Sequence, residues 1–340
     1  MGSRMRRLIA GALVLAQGPA VVTAMAALSQ ADHRWPDLLV QFTAPVLAAS
    51  LALTLLALLV RSRVAAGVGS LCGLALIAAL WPQIAPEGRA RPATGETVRV
   101  YSANVWARNT DVEAMARSIR QADADILVLV EVGEAPAADI ENLLSGHPYR
   151  FHRGSQGRRA APAQLVIASR WPLRDGGHDR SHVISWTTVA TPIGPVTVAG
   201  VHLTRPWPFF PQEAQLQQVE ALAGRLERFE TPVIVAGDFN SVSSGRVGRR
   251  VRRAGLVPVP GWPGTWPAIV PAAVGMTIDQ VYHSRDLAVV SRLLGQPTGS
   301  DHRPVITVFA TGLPRRPGLP NATGAPSRGS PRRSIEPRTP

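Results

Sequence analysis

Three long apolar runs fill the first quarter of the chain, and much shorter ones punctuate the rest. Residues 8–28 are apolar apart from Gln17 and a few small side chains, residues 38–60 apart from Gln41 and threonine, and residues 64–81 are apolar and small. Each approaches the ~20 residues that cross a bilayer, the third being the shortest. Buried helices of a soluble domain carry a polar face, and these carry almost none. The pattern predicts three transmembrane helices. A cleaved leader would account for the first of them but not for three in succession.

Beyond residue 96 the rhythm changes. Short β-branched and aliphatic runs recur at 98–103, 126–130, 165–168, 183–190, 196–201, 233–236 and 305–308. Between them lie stretches of helical period. Residues 110–121, opened by Thr110 or Asp111, place Val112, Met115, Ala116 and Ile119 on one face, and residues 135–145 form a shorter helix. Residues 212–229 align Leu216, Val219, Leu222 and Leu226. Thr191-Pro192-Ile193-Gly194 reads as the turn of a hairpin. Alternating strands and helices around one hairpin suit an α/β sandwich. The predicted plan is a membrane domain at 1–82, a Pro/Ala/Gly linker at 83–96 and a catalytic domain at 97–311. A Pro/Gly/Ser/Arg tail at 312–340 lacks apolar periodicity and is expected to be disordered.

The charge orients this plan. The net charge is +13, and all 36 basic side chains are arginine. Arg4, Arg6 and Arg7 precede the first apolar run, and Arg61 and Arg63 separate the second from the third. The intervening loop 29–37 sets Arg34 against Asp32 and Asp37. Basic flanks stay cytoplasmic, so the amino terminus is expected inside and the catalytic domain on the extracytoplasmic face, kept near the membrane by its short linker. The excess of arginine favours anionic partners, whether phospholipid, polyphosphate or nucleic acid, without choosing among them. The single cysteine, Cys72, lies in an apolar run, so no intrachain disulfide can form.

The candidate chemistry gathers at strand ends. Asn104 closes the run at 98–103, Glu131 the run at 126–130 and His202 the run at 196–201. Gly237-Asp238-Phe239-Asn240 follows 233–236, Thr277-Ile278-Asp279-Gln280-Val281 continues a further apolar run at 276–278, and Ser300-Asp301-His302-Arg303-Pro304-Val305 leads into 305–308. Polar groups held at the ends of rigid strands present chemistry to a cleft. Two aromatic stretches, Arg205-Pro206-Trp207-Pro208-Phe209-Phe210-Pro211 and residues 260–267 with Trp262 and Trp266, are expected at its rim. Aromatic residues beside arginine suit the bilayer headgroup region. Trp207, Phe209 and Phe210 are therefore candidate lipid contacts.

The order Asn…Glu…His-Leu…Gly-Asp-Phe-Asn…Ile-Asp…Ser-Asp-His-Arg-Pro resembles the endonuclease/exonuclease/phosphatase superfamily, with its DNase-I-like fold, over roughly residues 97–310. The resemblance implies a two-layer β-sandwich flanked by helices and a phosphoesterase dependent on Mg2+, with Mn2+ as a substitute. It implies that Glu131 is the chief metal ligand, that Asp301 lies beside the metal, and that Asn104 contacts a metal-bound water or the scissile phosphate. Asp238 orients or deprotonates the attacking water in this scheme, and Asn240 holds Asp238 and the phosphate. Asp279 pairs with His302, which meets the nucleophile or a phosphate oxygen, and His202 donates to the phosphate or the leaving oxygen. Whether Asp238 or His302 takes the proton stays open. The family often has a further acid two places after Asn104; Trp106 stands there, which favours a one-metal site.

Three amino-terminal helices before an external catalytic domain also resemble the superfamily's bacterial membrane members, including the teicoplanin-resistance type that hydrolyses undecaprenyl pyrophosphate. That resemblance implies a multi-pass protein of the bacterial cell membrane acting on an extracytoplasmic lipid-linked phosphate at an anionic lipid surface. It also implies a part in cell-wall synthesis and antibiotic tolerance. The alternatives are an extracytoplasmic nuclease with nucleic acid as partner, a sphingomyelinase-like diesterase, and a degenerate binding module. The last is disfavoured because every motif position is filled. No protein partner is evident.

Overall fold

The amino-terminal apolar runs form helices α1 (Ser3–Ala16), α2 (Gly18–Ser29), α3 (Arg34–Gln41), α4 (Thr43–Leu59) and α5 (Arg63–Ile84). The structure, a computed structural model, describes residues 3–86, 95–152, 164–206 and 211–311. By length and composition, Arg4–Ser29 and Arg63–Ile84 are each able to cross a membrane. The second apolar run departs from the expected single helix at 38–60. It bends by 61° between α3 and α4, and counts as a span only if the bent pair is taken together. The cause is local. Pro45 has no N–H for the Gln41 carbonyl and its ring crowds that group, so the helix breaks at Phe42 (φ −93°, ψ 11°). Inside the bundle, Gln17 accepts from Ser50 Oγ at 2.8 Å and donates to the Ser50 carbonyl at 3.2 Å. Such interhelical bonds satisfy polar groups that lipid cannot.

The remaining chain supplies β1 (Thr97–Asn104), β2 (Ile126–Val132), β3 (Tyr149–His152), β4 (Gln164–Ser169), β5 (Leu173–Asp179) and β6 (Ile184–Thr191). After these come β7 (Gly194–His202), β8 (Val233–Asp238), β9 (Val257–Pro258), β10 (Asp279–His283), β11 (Leu287–Leu294) and β12 (Val305–Thr311). One six-stranded sheet runs β11-β12-β1-β2-β4-β3 and the other β5-β6-β7-β8-β10-β9. Their inner faces meet in one core, with Val98, Val100, Ile126 and Val128 against Val196, Val198, Ile234 and Ala236. Helix α6 (Val112–Ala122) covers the outer face of the first sheet, setting Met115 and Ile119 on Tyr101 and Leu127. The short helices α7 (Glu134–Ala138) and α8 (Ile140–Leu143) extend that layer where one helix at 135–145 was expected. Helices α9 (Gln212–Leu226) and α10 (Arg246–Arg253) cover the second sheet, packing Leu216, Val219, Val247 and Val251 on Val201 and Val235. Strands covered on both faces read as unbroken apolar runs, which is why the central ones stand out in the sequence.

Topology brings the motif ends together. β1 and β2 are parallel, as are β7 and β8. β10 runs antiparallel to β8, and β12 antiparallel to β1. The carboxyl ends of β1, β2, β7 and β8 therefore share one edge of the sandwich with the beginnings of β10 and β12. The apolar run at 276–278 is not a strand, contrary to expectation. The Ile278 and Asp279 N–H groups go to Thr265 Oγ1 at 3.3 and 3.2 Å, so a side chain takes the place of a ladder and the strand starts at Asp279. The expected linker at 83–96 begins inside α5, and its central part lies outside the described residues, as does the tail at 312–340.

Candidate active site

Register places the acidic and imidazole groups side by side. Asp238 at the end of β8 is paired with His202 on one flank and with Asp279 on the other. The turn into this position requires a glycine: Gly237 has φ +142°, and a Cβ there would lie 2.0 Å from the Val201 carbonyl oxygen. Glu131 sits where the β2–β4 register shifts between Leu129 and Val132, with φ 55°. A bulge of this kind re-aims a side chain that regular pleating would send elsewhere. Asn240 (φ 46°) and Trp106 (φ 60°) share the left-handed backbone. Such strain in non-glycine residues collects at sites where position matters more than local stability.

The side chains form one connected set. Asn104 Nδ2 donates to Glu131 Oε1 at 2.9 Å and to Asp238 Oδ2 at 3.1 Å, while its Oδ1 accepts the Trp106 N–H at 2.9 Å. Glu131 Oε2 accepts the Ala107 N–H at 3.1 Å, and His202 Nε2 lies 3.3 Å from Glu131 Oε1. Asn240 gives its N–H to Asp238 Oδ1 at 2.8 Å and its Nδ2 to both Asp238 Oδ2 and the Leu203 carbonyl. His302 Nδ1 is 2.9 Å from Asp279 Oδ2. A carboxylate can only accept here, so Nδ1 carries the proton and Nε2 is left for the cleft. Ser300 Oγ ties this arm to β1 by donating to the Asn104 carbonyl at 2.8 Å and accepting the His302 N–H. Asp301 stands apart. It is 51% exposed on the rim, 3.9 Å from His302 Nε2, and its Oδ2 accepts from Trp266 Nε1 at 3.0 Å.

Electrostatics separate the two central groups. Burial pushes the Asp238 carboxyl up to about 6, the Asp279 charge adding to this while His302 and His202 oppose it. Burial disfavours a charged His302 ring, but the Asp279 charge and hydrogen bond outweigh it and carry the imidazole up to about 10. Glu131, His202 and Asp238 offer ligand atoms all within 4.8 Å of one another, and Asp238, Asp279 and His302 form a second such group. Carboxylate oxygens with one imidazole suit a hard divalent cation, so the donor set fits the metal implied by the motifs. Asp301, expected beside that metal, belongs to neither group.

Glu131, His202, Asp238, Asn240, Asp301 and His302 line a cleft of about 480 Å³. Trp106, Val183, Leu203, Arg205, Met276 and Ile278 complete much of its wall, and so does Gln41 from the end of α3. Gln41 was not among the sequence candidates, because a lone amide in an apolar run signals nothing about a partner two hundred residues away. Thr265, which holds the Asp279 N–H, carried no motif signal either. Ser300, which opens the Ser-Asp-His-Arg-Pro motif, was assigned no role although it ties His302 to β1. The aromatic stretch at 260–267 lies beside the apolar helices, its Gly261 N–H donating to the Gln83 carbonyl of α5 at 2.6 Å. Trp207, Phe209 and Phe210 lie outside the described residues.

Two packed mixed sheets flanked by helices, with a carboxylate–amide–imidazole cleft at one edge, define a DNase-I-like α/β sandwich. The chain belongs to the endonuclease/exonuclease/phosphatase family, which it matches over residues 101–302. Members are typically metal-dependent hydrolases of phosphoester bonds. Among solved structures, an endonuclease/exonuclease/phosphatase from Beutenbergia cavernae DSM 12333 is similar at 20% identity and TM-score 0.52, the match spanning 64% of this chain and 72% of that one. One from Bacteroides vulgatus is 15% identical with TM-score 0.55, spanning 64% of this chain and all of its own, 100%. D. rerio TDP2 complexed with a single-strand DNA product is 15% identical with TM-score 0.51, spanning 64% of this chain and 100% of that one. At these identities the likeness is one of fold. No curated protein matches the chain.

Proposed function

We propose that the chain is a membrane-anchored, Mg2+-dependent phosphohydrolase acting on an extracytoplasmic lipid-linked phosphate, with undecaprenyl pyrophosphate as its substrate. One observation carries the lipid reading: Gln41, from the broken apolar helix pair, lines the same cleft as Glu131, His202, Asp238 and His302. A phosphate anchored in the bilayer meets that cleft at the ends of the apolar helices. The distribution of arginine between the helix flanks supports the outward orientation.

Phosphoryl transfer spreads negative charge over the phosphoryl oxygens, so positioning and hydrogen-bond donors do most of the catalytic work. Glu131 would hold the divalent ion, with Asn104 as a further donor and Asp301, which stands apart on the rim, not among its ligands. Bound there, the ion would withdraw charge from a phosphoryl oxygen. Asp238, steadied by Asn104 and Asn240, orients the attacking water and is placed to accept its proton. Asp279 fixes the ring of His302, whose Nε2 meets the nucleophile or a phosphoryl oxygen. His202 and Asn104 donate to the phosphate.

The decisive assay uses the full-length protein in detergent with Mg2+, measuring phosphate release from undecaprenyl pyrophosphate beside cleavage of DNA. Phosphate release that Asp238→Ala abolishes supports the reading. Release that persists in Asp238→Ala overturns the mechanism. The net charge of +13 favours a nuclease as the second reading. DNA cleavage without phosphate release, with binding that weakens steeply as salt rises, would select it. Replacing Trp207, Phe209 and Phe210 by serine should weaken activity on vesicles while sparing a soluble substrate, and equal loss on both would remove their lipid role.

A further inference from the structure

Asp37 and Gln41 lie four residues apart, so they share one face of α3, and that face is turned onto the catalytic domain. Both are almost fully buried. Asp37 Oδ1 accepts the Arg246 N–H at 2.6 Å, and Oδ2 accepts from Gln212 Nε2. Gln41 Oε1 accepts the Val242 N–H at 2.8 Å, while its Nε2 donates to the Asp37 carbonyl at 3.1 Å and reaches Ser241 Oγ at 3.4 Å. The loop they grip, residues 241–246, follows directly on Asp238 and Asn240. Gly245 closes it so tightly that a Cβ there would lie 2.9 Å from Asp37 Oδ1 and 3.1 Å from Gln41 Nε2. A second apolar helix joins the clamp, Gln83 Nε2 of α5 donating to Ser244 Oγ at 2.9 Å.

A carboxylate and an amide in an apolar helix carry a desolvation cost wherever their partners are missing. Here the partners are the Val242 and Arg246 backbone N–H groups of the loop behind the catalytic turn, together with the Gln212 side-chain amide. Asn240 has a left-handed backbone (φ 46°), a conformation that persists when its surroundings over-determine it. On the amino-terminal side those surroundings are β8, the Leu203 carbonyl that accepts from Asn240 Nδ2, and Gln215 of α9, whose Nε2 donates to the Phe239 and Asn240 carbonyls at 2.9 and 3.2 Å. On the carboxyl-terminal side, the first backbone N–H after Ser241 is the one held by Gln41.

We propose that Gln41 is a positioning residue of the catalytic cleft. By accepting the Val242 N–H it fixes the chain after Asn240, and with Asp37 it makes the broken helix pair an integral part of the active site rather than a detachable anchor. The kinetic arm of the test rests on the phosphohydrolase reading; the exchange arm does not.

The test compares Gln41→Leu, which removes the acceptor at similar volume, with Gln41→Glu, which in its protonated form keeps an acceptor and a donor. Full-length proteins in detergent are used. In the metal-free protein, amide hydrogen exchange of residues 241–246 should quicken about tenfold or more in Gln41→Leu and stay near wild type in Gln41→Glu. Residues 126–132 of the core, unchanged in all three proteins, report that the fold is intact. With Mg2+ and undecaprenyl pyrophosphate, Gln41→Leu should lose about 10–100-fold in kcat with KM little altered, and Gln41→Glu should recover most of it. Unchanged exchange in Gln41→Leu overturns the proposal, as does a kcat loss that the glutamate does not reverse. A wild-type protein inactive on the lipid sinks the phosphohydrolase reading alone, and the exchange comparison still decides the role of Gln41.

Discussion

Asp279 stands directly opposite Asp238 in the antiparallel register of β8 and β10, and the His302 imidazole serves both carboxylates. Its Nδ1 is committed to Asp279 at 2.9 Å, and its charge lowers the cost of ionising buried Asp238. Two acids at neighbouring register positions thus take different parts, one orienting a ring and the other facing the cleft.

Asp279→Asn separates these parts. The amide fills the same space but removes the charge that keeps the His302 ring protonated. It can also offer its N–H to Nδ1, so the ring loses its charge and its fixed partner. A kcat loss of about 10²–10⁴-fold is expected, with KM little changed. Steady-state kinetics on the lipid substrate check this. A variant within threefold of wild type, a margin of about 0.7 kcal/mol, would show that the pair does not orient catalysis.

Glu131→Gln bears on the cation. A bulge and a left-handed backbone aim the carboxylate, and Asn104 Nδ2 and the Ala107 N–H hold its two oxygens. The amide keeps the size but turns one acceptor into a donor and removes the charge. Mg2+ at 100 times its Kd stabilises a folded protein by about 2.7 kcal/mol. That gain, read as a rise in the thermal midpoint on adding Mg2+ to chelator-treated protein, should vanish in Glu131→Gln. An equal rise in both proteins would place the ion elsewhere.

How much of this was legible in the sequence follows from burial. β1, β2, β7 and β8 are covered on both faces, so their apolar runs end abruptly at Asn104, Glu131, His202 and Asp238, and those ends are the site. α10 was invisible for the opposite reason. Val247 and Val251 give it a single apolar contact line among five arginines, and it is held from a distance by Asp32 and the Ala31 carbonyl. β5 carries Arg174, Asp175 and two glycines along an exposed edge, and the bulge between Val289 and Ser291 interrupts the alternation of β11. The break at Phe42 was readable from Pro45. The partners of Gln41 were not, since they are backbone groups of a loop supplied by the tertiary fold.

Gly237→Ala tests the turn that delivers Asp238. At φ +142° an L-residue is strained, and the added methyl meets the Val201 carbonyl oxygen at 2.0 Å. Backbone, rather than a flexible side chain, must then move. The expected loss is about 3 kcal/mol or more, read from urea or guanidinium unfolding, with activity falling as β8 shifts against β7. A variant within about 1 kcal/mol of wild type would mean that the turn can relax without cost.

His147 and His283, away from the cleft, make the fold sensitive to acid. Both are buried in the neutral form, His147 bonded to the Ala124 carbonyl at 2.9 Å and His283 to the Ser284 carbonyl at 2.8 Å. Burial lowers both below the ordinary value of 6.5. Below 6.5 the unfolded chain binds protons that the folded chain refuses, so stability rises with pH in that window and is lost as pH falls through it. Their contribution is fully present above 6.5 and declines from there toward their lowered folded values. Asp238 and His302, both raised in the fold, act in the opposite direction over the same range, so the two histidines are read as a difference. From pH 7.5 to pH 5 the wild type should lose stability relative to the double variant His147→Gln, His283→Asn, whatever the variant's stability at pH 7.5. Equal slopes in the two proteins would assign the acid sensitivity to other groups.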